Sequence, residues 1–237
     1  MADYEYPGTE LELFAEARHW KAYLRQHISP FLRGDVLEVG AGIGATTEVL
    51  HDPTVGSWTC LEPDLRLYNR LADTLRRLAP LHPGAVRAVP GTLTDLPPHE
   101  TFDALLYIDV LEHIDDDRGE LARAIERTRT GGAVVVLSPA HQWLFSEFDT
   151  HVGHCRRYGA TRLRDIAPTG SSVEVLRYLD SAGLLASIAN RCVLRALLPT
   201  ASQIRTWDTV LVRTSRVIDA WLGYRLGKSL LCVYRRS

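Results

Sequence analysis

Little in this sequence suits an extracellular or membrane-embedded protein. Its four cysteines, at 60, 155, 192 and 232, are scattered without the close pairs of metal knuckles or disulfide frameworks, a pattern expected in a reduced compartment. No apolar run is long enough to cross a bilayer; the best stretch, 178–199, is broken by Asp180, Arg191 and Arg195. A basic-then-apolar leader is missing from the N-terminus. Internal repeats and low-complexity tracts are missing as well. These absences predict a cytoplasmic globular chain, and 237 residues suffice for one domain with an insertion.

A large net charge is also lacking, with 27 basic against 29 acidic residues. The balance is uneven along the chain, however. From Arg191 onward nine basic residues face only Asp208 and Asp219, leaving this tail at +7 and the remainder at −9. A solvated helix face accounts for such a tail; an anionic ligand or peripheral contact with a membrane surface is the other reading.

What the sequence does have is concentrated in residues 36–44, Val-Leu-Glu-Val-Gly-Ala-Gly-Ile-Gly. Val36, Leu37 and Val39 suit a buried parallel strand. Gly40, Gly42 and Gly44 then allow a sharp turn whose bare backbone can meet a ligand. Thr46, Thr47, Glu48 and Leu50 open a helix directly afterwards, so its free N–H groups face the turn. This order predicts a nucleotide-cofactor pocket at the carboxyl edge of a parallel sheet.

The glycine spacing with Ala45 also fits a dinucleotide fingerprint, and Glu62 stands where an acidic residue should take ribose hydroxyls. Two features favour another cofactor. Glu38 precedes the glycines, where a carboxylate suits a cationic ligand better than a pyrophosphate. Downstream, Gly91-Thr92-Leu93-Thr94-Asp95-Leu96-Pro97 is followed by Phe102-Asp103-Ala104-Leu105-Leu106-Tyr107-Ile108-Asp109-Val110-Leu111-Glu112-His113-Ile114. With Leu37–Gly44 and Cys60-Leu61-Glu62-Pro63-Asp64, residues 34–140 resemble the class I S-adenosylmethionine (SAM) methyltransferases.

The alternation of segments predicts strands near 35–39, 58–62, 86–90, 103–109 and 133–138. Helices are expected near 44–51, 63–79 and 116–129, which implies right-handed crossovers and a parallel sheet. The resemblance implies a Rossmann-like α/β fold, a mostly parallel seven-stranded sheet with an antiparallel last strand. Strands near 172–179 and 229–235 would complete it. Residues 1–33 form a helical cap, with one amphipathic helix over 9–29 that places Leu13, Phe14, Ala17, Trp20, Leu24 and Ile28 on one face. Residues 140–160 read as a loop. An insertion over 181–227 should hold helices near 181–197 and 201–222 and cover the acceptor. In the second helix Ile204, Trp207, Val210, Leu211, Val217, Ile218, Trp221 and Leu222 share a face, opposite Arg205, Arg213 and Arg216.

For the cofactor, the resemblance assigns Glu38, Gly40, Ala41, Gly42, Gly44, Glu62, Pro63, Thr92, Leu93, Asp109 and Val110. Glu62 can accept both ribose hydroxyls. Thr92 stands where the family often has an Asp on the adenine, so backbone groups at Thr92 and Leu93 would substitute. Asp109 ends the fourth strand and can hold the methionine ammonium. Trp20 or Tyr23 either close over the cofactor or pack in the core.

Methyl transfer needs alignment of a nucleophile with the methyl group and its desolvation. A hydroxyl acceptor also needs a base or a metal to take its proton. Catalytic candidates are His113, His154 and Tyr158, beyond adjacent strand ends. Asp109-x-x-Glu112-His113, with His154, is similar to the divalent-metal motif of ubiquinone-pathway O-methyltransferases and small-RNA 2′-O-methyltransferases; a simple hydrogen-bonded His113 is the alternative. Arg156 and Arg157 can grip an anion or be solvated. The leading reading is methylation of an oxygen on a small-molecule or lipid-linked acceptor. The alternatives are a nicotinamide oxidoreductase, an RNA methyltransferase or a non-catalytic SAM-binding module. The chain lacks an aromatic base-stacking motif, which argues against nucleic acid. Oligomerisation through the insertion stays open.

Overall fold

Buried apolar runs make the centre of a sheet. In the computed structural model, which describes residues 5–8, 11–52, 54–81, 85–191 and 198–237, the strands are β1 (Asp35–Val39), β2 (Ser57–Glu62), β3 (Ala85–Pro90), β4 (Phe102–Ile108), β5 (Thr128–Pro139), β6 (Ser171–Leu179) and β7 (Ser229–Arg236). Their order is β3-β2-β1-β4-β5-β7-β6. β7 runs antiparallel to both β5 and β6, and the other pairs are parallel. Val36, Leu37, Ala104, Leu105, Val134 and Val135 have no exposed surface, as expected of strands covered on both faces. The order reverses between β1 and β4. Ligands bind at such a switch point, beyond the strand carboxyl ends.

The helices α1 (Leu11–Ala15), α2 (Arg18–Ile28), α3 (Thr47–Leu50), α4 (Leu65–Leu78) and α5 (Asp117–Arg127) precede β5 or link the parallel strands. After β5 come α6 (Glu147–His151) and α7 (Ala160–Asp165); α8 (Ser181–Ala189), α9 (Ala201–Thr206) and α10 (Val212–Trp221) lie between β6 and β7. One sheet face packs Trp20, Leu24, Trp207 and Val212 from the cap and insertion. The other packs Leu121, Tyr158 and Leu163.

Three expectations need correction. The helix expected over 9–29 is two helices with a break at Glu16–Ala17; residues 9 and 10 lie outside the described residues. Its cause is distant in sequence. Asp208 accepts the backbone N–H of His19 at 3.1 Å and of Trp20 at 2.8 Å, which caps a new helix start from outside. Secondly, residues 140–160 contain α6, started by Ser146 and Asp149 in a capping box.

Thirdly, the single apolar stripe of 204–222 is split. Residues Trp207–Leu211 are π-helical, between α9 and α10, and this extra residue in the turn rotates everything after it by about 100°. Ile204, Trp207 and Val212 therefore face inward, whereas Val210, Val217 and Trp221 are exposed. The preceding helix, expected over 181–197, is α-helical through Ala189; positions 192–197 lie outside the described residues.

Candidate active site

The turn after β1 is shaped by backbone that other residues resist. Gly40, Gly42 and Gly44 have φ of +67°, +58° and +80°. A Cβ on Gly40 would meet Val110 Cγ2 at 2.7 Å, and one on Gly44 would meet Thr74 Cγ2 at 2.9 Å. At Gly42 the nearest atom is Leu11 Cδ1 at 4.0 Å, so this glycine borders open space. Gly42 N–H donates to Glu62 Oε2 at 2.8 Å, and Asp64 N–H to Glu62 Oε1 at 3.0 Å. Glu62 thus fixes the turn and keeps further lone pairs.

Gly40–Ile43, Ala45 and Thr46 form one wall of a cavity of about 690 Å³, well within the ~300–1,000 Å³ of ligand sites. Asp109, Glu112, His113 and His154 form a second wall; Phe14, Trp20 and Lys21 of the cap, with Trp207 and Lys228, form a third. Asp109 adopts φ +54°, a left-handed conformation that Asp tolerates better than most residues. Protein surrounds it, yet its side chain opens on the cavity. Burial raises its pKa to about 6, against the opposing pull of His154, Lys228 and Lys21. Lys21 is held by the Phe14 and Ala15 carbonyls at 2.8 and 2.7 Å, and burial lowers its pKa to about 8.

Glu112, His113 and His154 bring one potential ligand atom each within 4.8 Å of one another. Both Glu112 oxygens and His113 Nδ1 are buried without a well-formed hydrogen bond among the described residues; the Ser138 hydroxyl lies near Glu112 and the Gly153 backbone near His113. Burial, then Asp109, pushes the Glu112 carboxyl well above its usual range. Burial, then His154, lowers His113 to about 4. His154 Nδ1 lies 2.8 Å from Asp149 Oδ1, and its Nε2 lies 3.9 Å from Glu112 Oε1. Asp109 stands outside this cluster, in the wall beside it.

Other expected residues lie elsewhere. Glu38 sits beneath the turn rather than beside a ligand. Its Oε2 accepts Thr47 Oγ1 at 2.8 Å and Trp58 Nε1 at 3.0 Å, and burial raises its pKa to about 7. Tyr158 is fully buried and donates to Asp117 Oδ2 at 2.9 Å, away from the cavity, so the structure removes it from the catalytic set. Thr92 caps a short turn with Asp95, and Leu93 is a core residue. Glu62 and Val110 support the turn from behind, and neither they nor Pro63 line the cavity. Trp20 lines the cavity and also packs in the core; Tyr23 binds Asp219 instead. Arg156 is engaged by Ile114 O, Asp115 and Asp117, whereas Arg157 lines the cavity and is held by Asp149 through Nε and Nη2.

Sequence reasoning missed Asp149, Lys21 and Lys228. Ser146-x-x-Asp149 carried a signal as a capping box. The lysines carried none, because only the packing of cap and insertion turns them inward. Tyr6 was missed too: its N–H donates to Asp64 Oδ2 at 2.8 Å, and its ring lies 5.6 Å from that of His113.

Comparison with known proteins gives this geometry its relatives. Residues 37–134 match the methyltransferase domain family. A tRNA U34 carboxymethyltransferase of Shewanella putrefaciens is 31% identical over 114 residues, 48% of this chain and 33% of that protein. The chain thus matches only about a third of its curated relative's length. The N-methyltransferase NodS of Bradyrhizobium japonicum WM9, solved with S-adenosyl-L-homocysteine, superposes with TM-score 0.58 at 17% identity, covering 94% of this chain and 87% of NodS. The mitomycin 7-O-methyltransferase MmcR superposes with TM-score 0.59 at 16% identity, covering 96% of this chain and 54% of MmcR. One fold thus hosts methylation of nitrogen and of oxygen, and does not choose between them. The chain shares the Rossmann-like fold of these methyltransferases, and the match to the methyltransferase domain family is confined to residues 37–134.

Proposed function

We propose, from a chain whose residues 37–134 match the methyltransferase domain family, that this protein transfers a methyl group from SAM to an oxygen of a small, largely apolar acceptor. One observation carries the reading: a single cavity joins the glycine turn to Asp109 and to the Glu112, His113 and His154 cluster, under a roof of apolar side chains. The donor set suits SAM. The open backbone at Gly42, the carboxylate of Glu62 behind it and the accessible carboxylate of Asp109 match a ligand with a diol, an ammonium and a sulfonium. SAM supplies an electrophilic methyl group.

The chain's own residues supply position and proton control. Asp109 holds the ammonium at the β4 end. Phe14, Trp20 and Trp207 keep water from the acceptor, which strengthens every polar contact inside. His113 is neutral at physiological pH, and with its pKa near 4 it is a weak proton acceptor. It is better suited as a neutral ligand. The orphaned Glu112 oxygens and the Asp149-oriented His154 complete a mixed oxygen and nitrogen set that fits a divalent cation. A divalent cation there supplies Lewis acidity toward a hydroxyl. Asp109 lies beside that cluster, so one carboxylate is not asked to serve cation and cofactor together.

The test is incubation with methyl-labelled SAM and cell extract, with and without chelator, followed by fractionation. Label in small organic molecules or lipids, lost with chelator and restored by magnesium, manganese or zinc, supports the proposal. Label in RNA would favour the chemistry of the tRNA-modifying relative and overturn the acceptor class. Failure to bind SAM would overturn the cofactor.

A further inference from the structure

The outer surface of the insertion is apolar and cationic. Among the described residues, large apolar side chains that are exposed elsewhere lie singly; five sit in this segment, namely Leu185, Val210, Val217, Trp221 and Leu226. Val217 is 73% exposed and Trp221 86%. Val210, Val217 and Trp221 follow one another at helical spacing and share a face. The π-helical turn described above rotates this face outward, so it is a consequence of how the helix is built. Arg205, Arg213 and Arg225 are exposed around it. The two acids of this region do not offset them at the surface. Asp208 is 4% exposed and Asp219 fully buried; the first caps α2, and the second accepts the N–H groups of Asp180 and Ser181 at the start of α8.

We infer that this face docks on an anionic lipid surface, with Val217 and Trp221 entering the headgroup boundary and the arginines meeting lipid phosphates. Tryptophan prefers that boundary, and aliphatic side chains flanked by arginine are the composition of interfacial helices. The charge is complementary, and each basic residue near an anionic leaflet strengthens binding roughly fivefold. RNA fits the surface less well: base stacking needs several aromatic rings, and Trp221 is the only one on this face among the described residues. Self-pairing about a two-fold axis would set the arginine rim against its own copy. The inner side of the same helices lines the cavity through Ile204, Trp207 and Leu211. Docking therefore sets the acceptor pocket beside the lipid–water boundary; that consequence rests on the proposed function, whereas the docking does not.

The full chain is mixed with vesicles of equal parts phosphatidylglycerol and phosphatidylcholine, and with vesicles of phosphatidylcholine alone, then sedimented. Binding to the anionic vesicles should exceed binding to the neutral ones by about tenfold or more and weaken with salt. Val217→Glu with Trp221→Glu should lower it by about tenfold or more, while SAM binding and the thermal midpoint stay unchanged. Arg205→Glu with Arg225→Glu should abolish the preference for anionic lipid. Equal binding to both vesicles, or unchanged binding by the Val217/Trp221 variant, would overturn the proposal. So would tRNA binding that survives that variant while vesicles stay unbound, or a concentration-dependent dimer that the variant dissolves without any vesicle binding. SAM affinity, measured separately, reports on the methyltransferase reading alone.

Discussion

Asp149 holds His154 by a 2.8 Å contact at Nδ1 and so turns Nε2 toward Glu112. The same carboxylate accepts Arg157 Nε at 2.7 Å and Ser146 N–H at 2.9 Å, which fixes it firmly. A carboxylate behind a histidine sets its tautomer and raises its strength as a ligand, and losing it typically costs about 10- to 100-fold in metal affinity. Asp149→Asn should therefore weaken manganese or zinc binding by that factor, measured by competition with a metal indicator, while SAM affinity changes little. Equal metal affinity in variant and parent would remove Asp149 and the cluster from this role.

Glu62 ties together two backbone N–H groups, at Gly42 and Asp64, behind the cofactor wall. Glu62→Ala should loosen the turn that forms the cofactor wall and, on the proposed reading, remove the carboxylate behind the ribose. With charge-assisted hydrogen bonds contributing about 1.5–3 kcal/mol each at most, and water replacing part of that, SAM affinity should fall roughly 10- to 100-fold. Calorimetry would detect it; an unchanged dissociation constant would exclude Glu62 from the cofactor site.

The sheet was legible in the sequence because its strands are short apolar runs separated by turn residues. β1 is expected at 35–39 and found at Asp35–Val39. The glycine turn was legible for the same local reason. Features made by distant residues were not legible. The break at Ala17 depends on Asp208, and the outward turn of Trp221 depends on a π-helical segment, so 3.6-residue periodicity reads both wrongly. Glu38 and Tyr158 look functional by position, but their neighbours Thr47, Trp58 and Asp117 bind them into the core. Lys21 and Lys228 reach the site through tertiary packing, which leaves no mark on local spacing.

Asp208 also makes a prediction about the cap. It accepts two N–H groups at the start of α2, and its side chain lies 2.9 Å from His19 Nδ1. Asp208→Ala leaves those buried donors unsatisfied, at a cost of about 1–3 kcal/mol. Urea unfolding should show that loss, and hydrogen exchange should speed up at residues 19–23 more than in β1. Asp208→Asn keeps one acceptor oxygen and should lose less. Exchange rising equally in cap and sheet would mean that Asp208 supports the whole fold rather than the junction.

Glu38 fixes the sign of one pH dependence. Its carboxyl has an ordinary value of 4.5 and is raised to about 7 by burial, against hydrogen bonds from Thr47 and Trp58. The folded state thus binds this proton more tightly than the unfolded state. Its stabilising effect is complete below pH ~4.5, declines as pH rises, and is lost once pH passes ~7. At 1.36 kcal/mol per unit, the span from 4.5 to about 7 corresponds to at most about 3 kcal/mol. Glu38→Gln keeps an oxygen for Thr47 and Trp58 but cannot ionise. It should match the parent near pH 4.5 and exceed it by up to about 3 kcal/mol at pH 8. Asp109 and Glu112 are raised in the same direction, so the variant's stability should still fall with pH, only less steeply. Urea titrations of both proteins at pH 5 and pH 8 measure the difference directly. A stability gap between the two proteins that does not widen from pH 5 to pH 8 would show that Glu38 is already ionised in the fold, with Thr47, Trp58 and solvent meeting the cost of its charge.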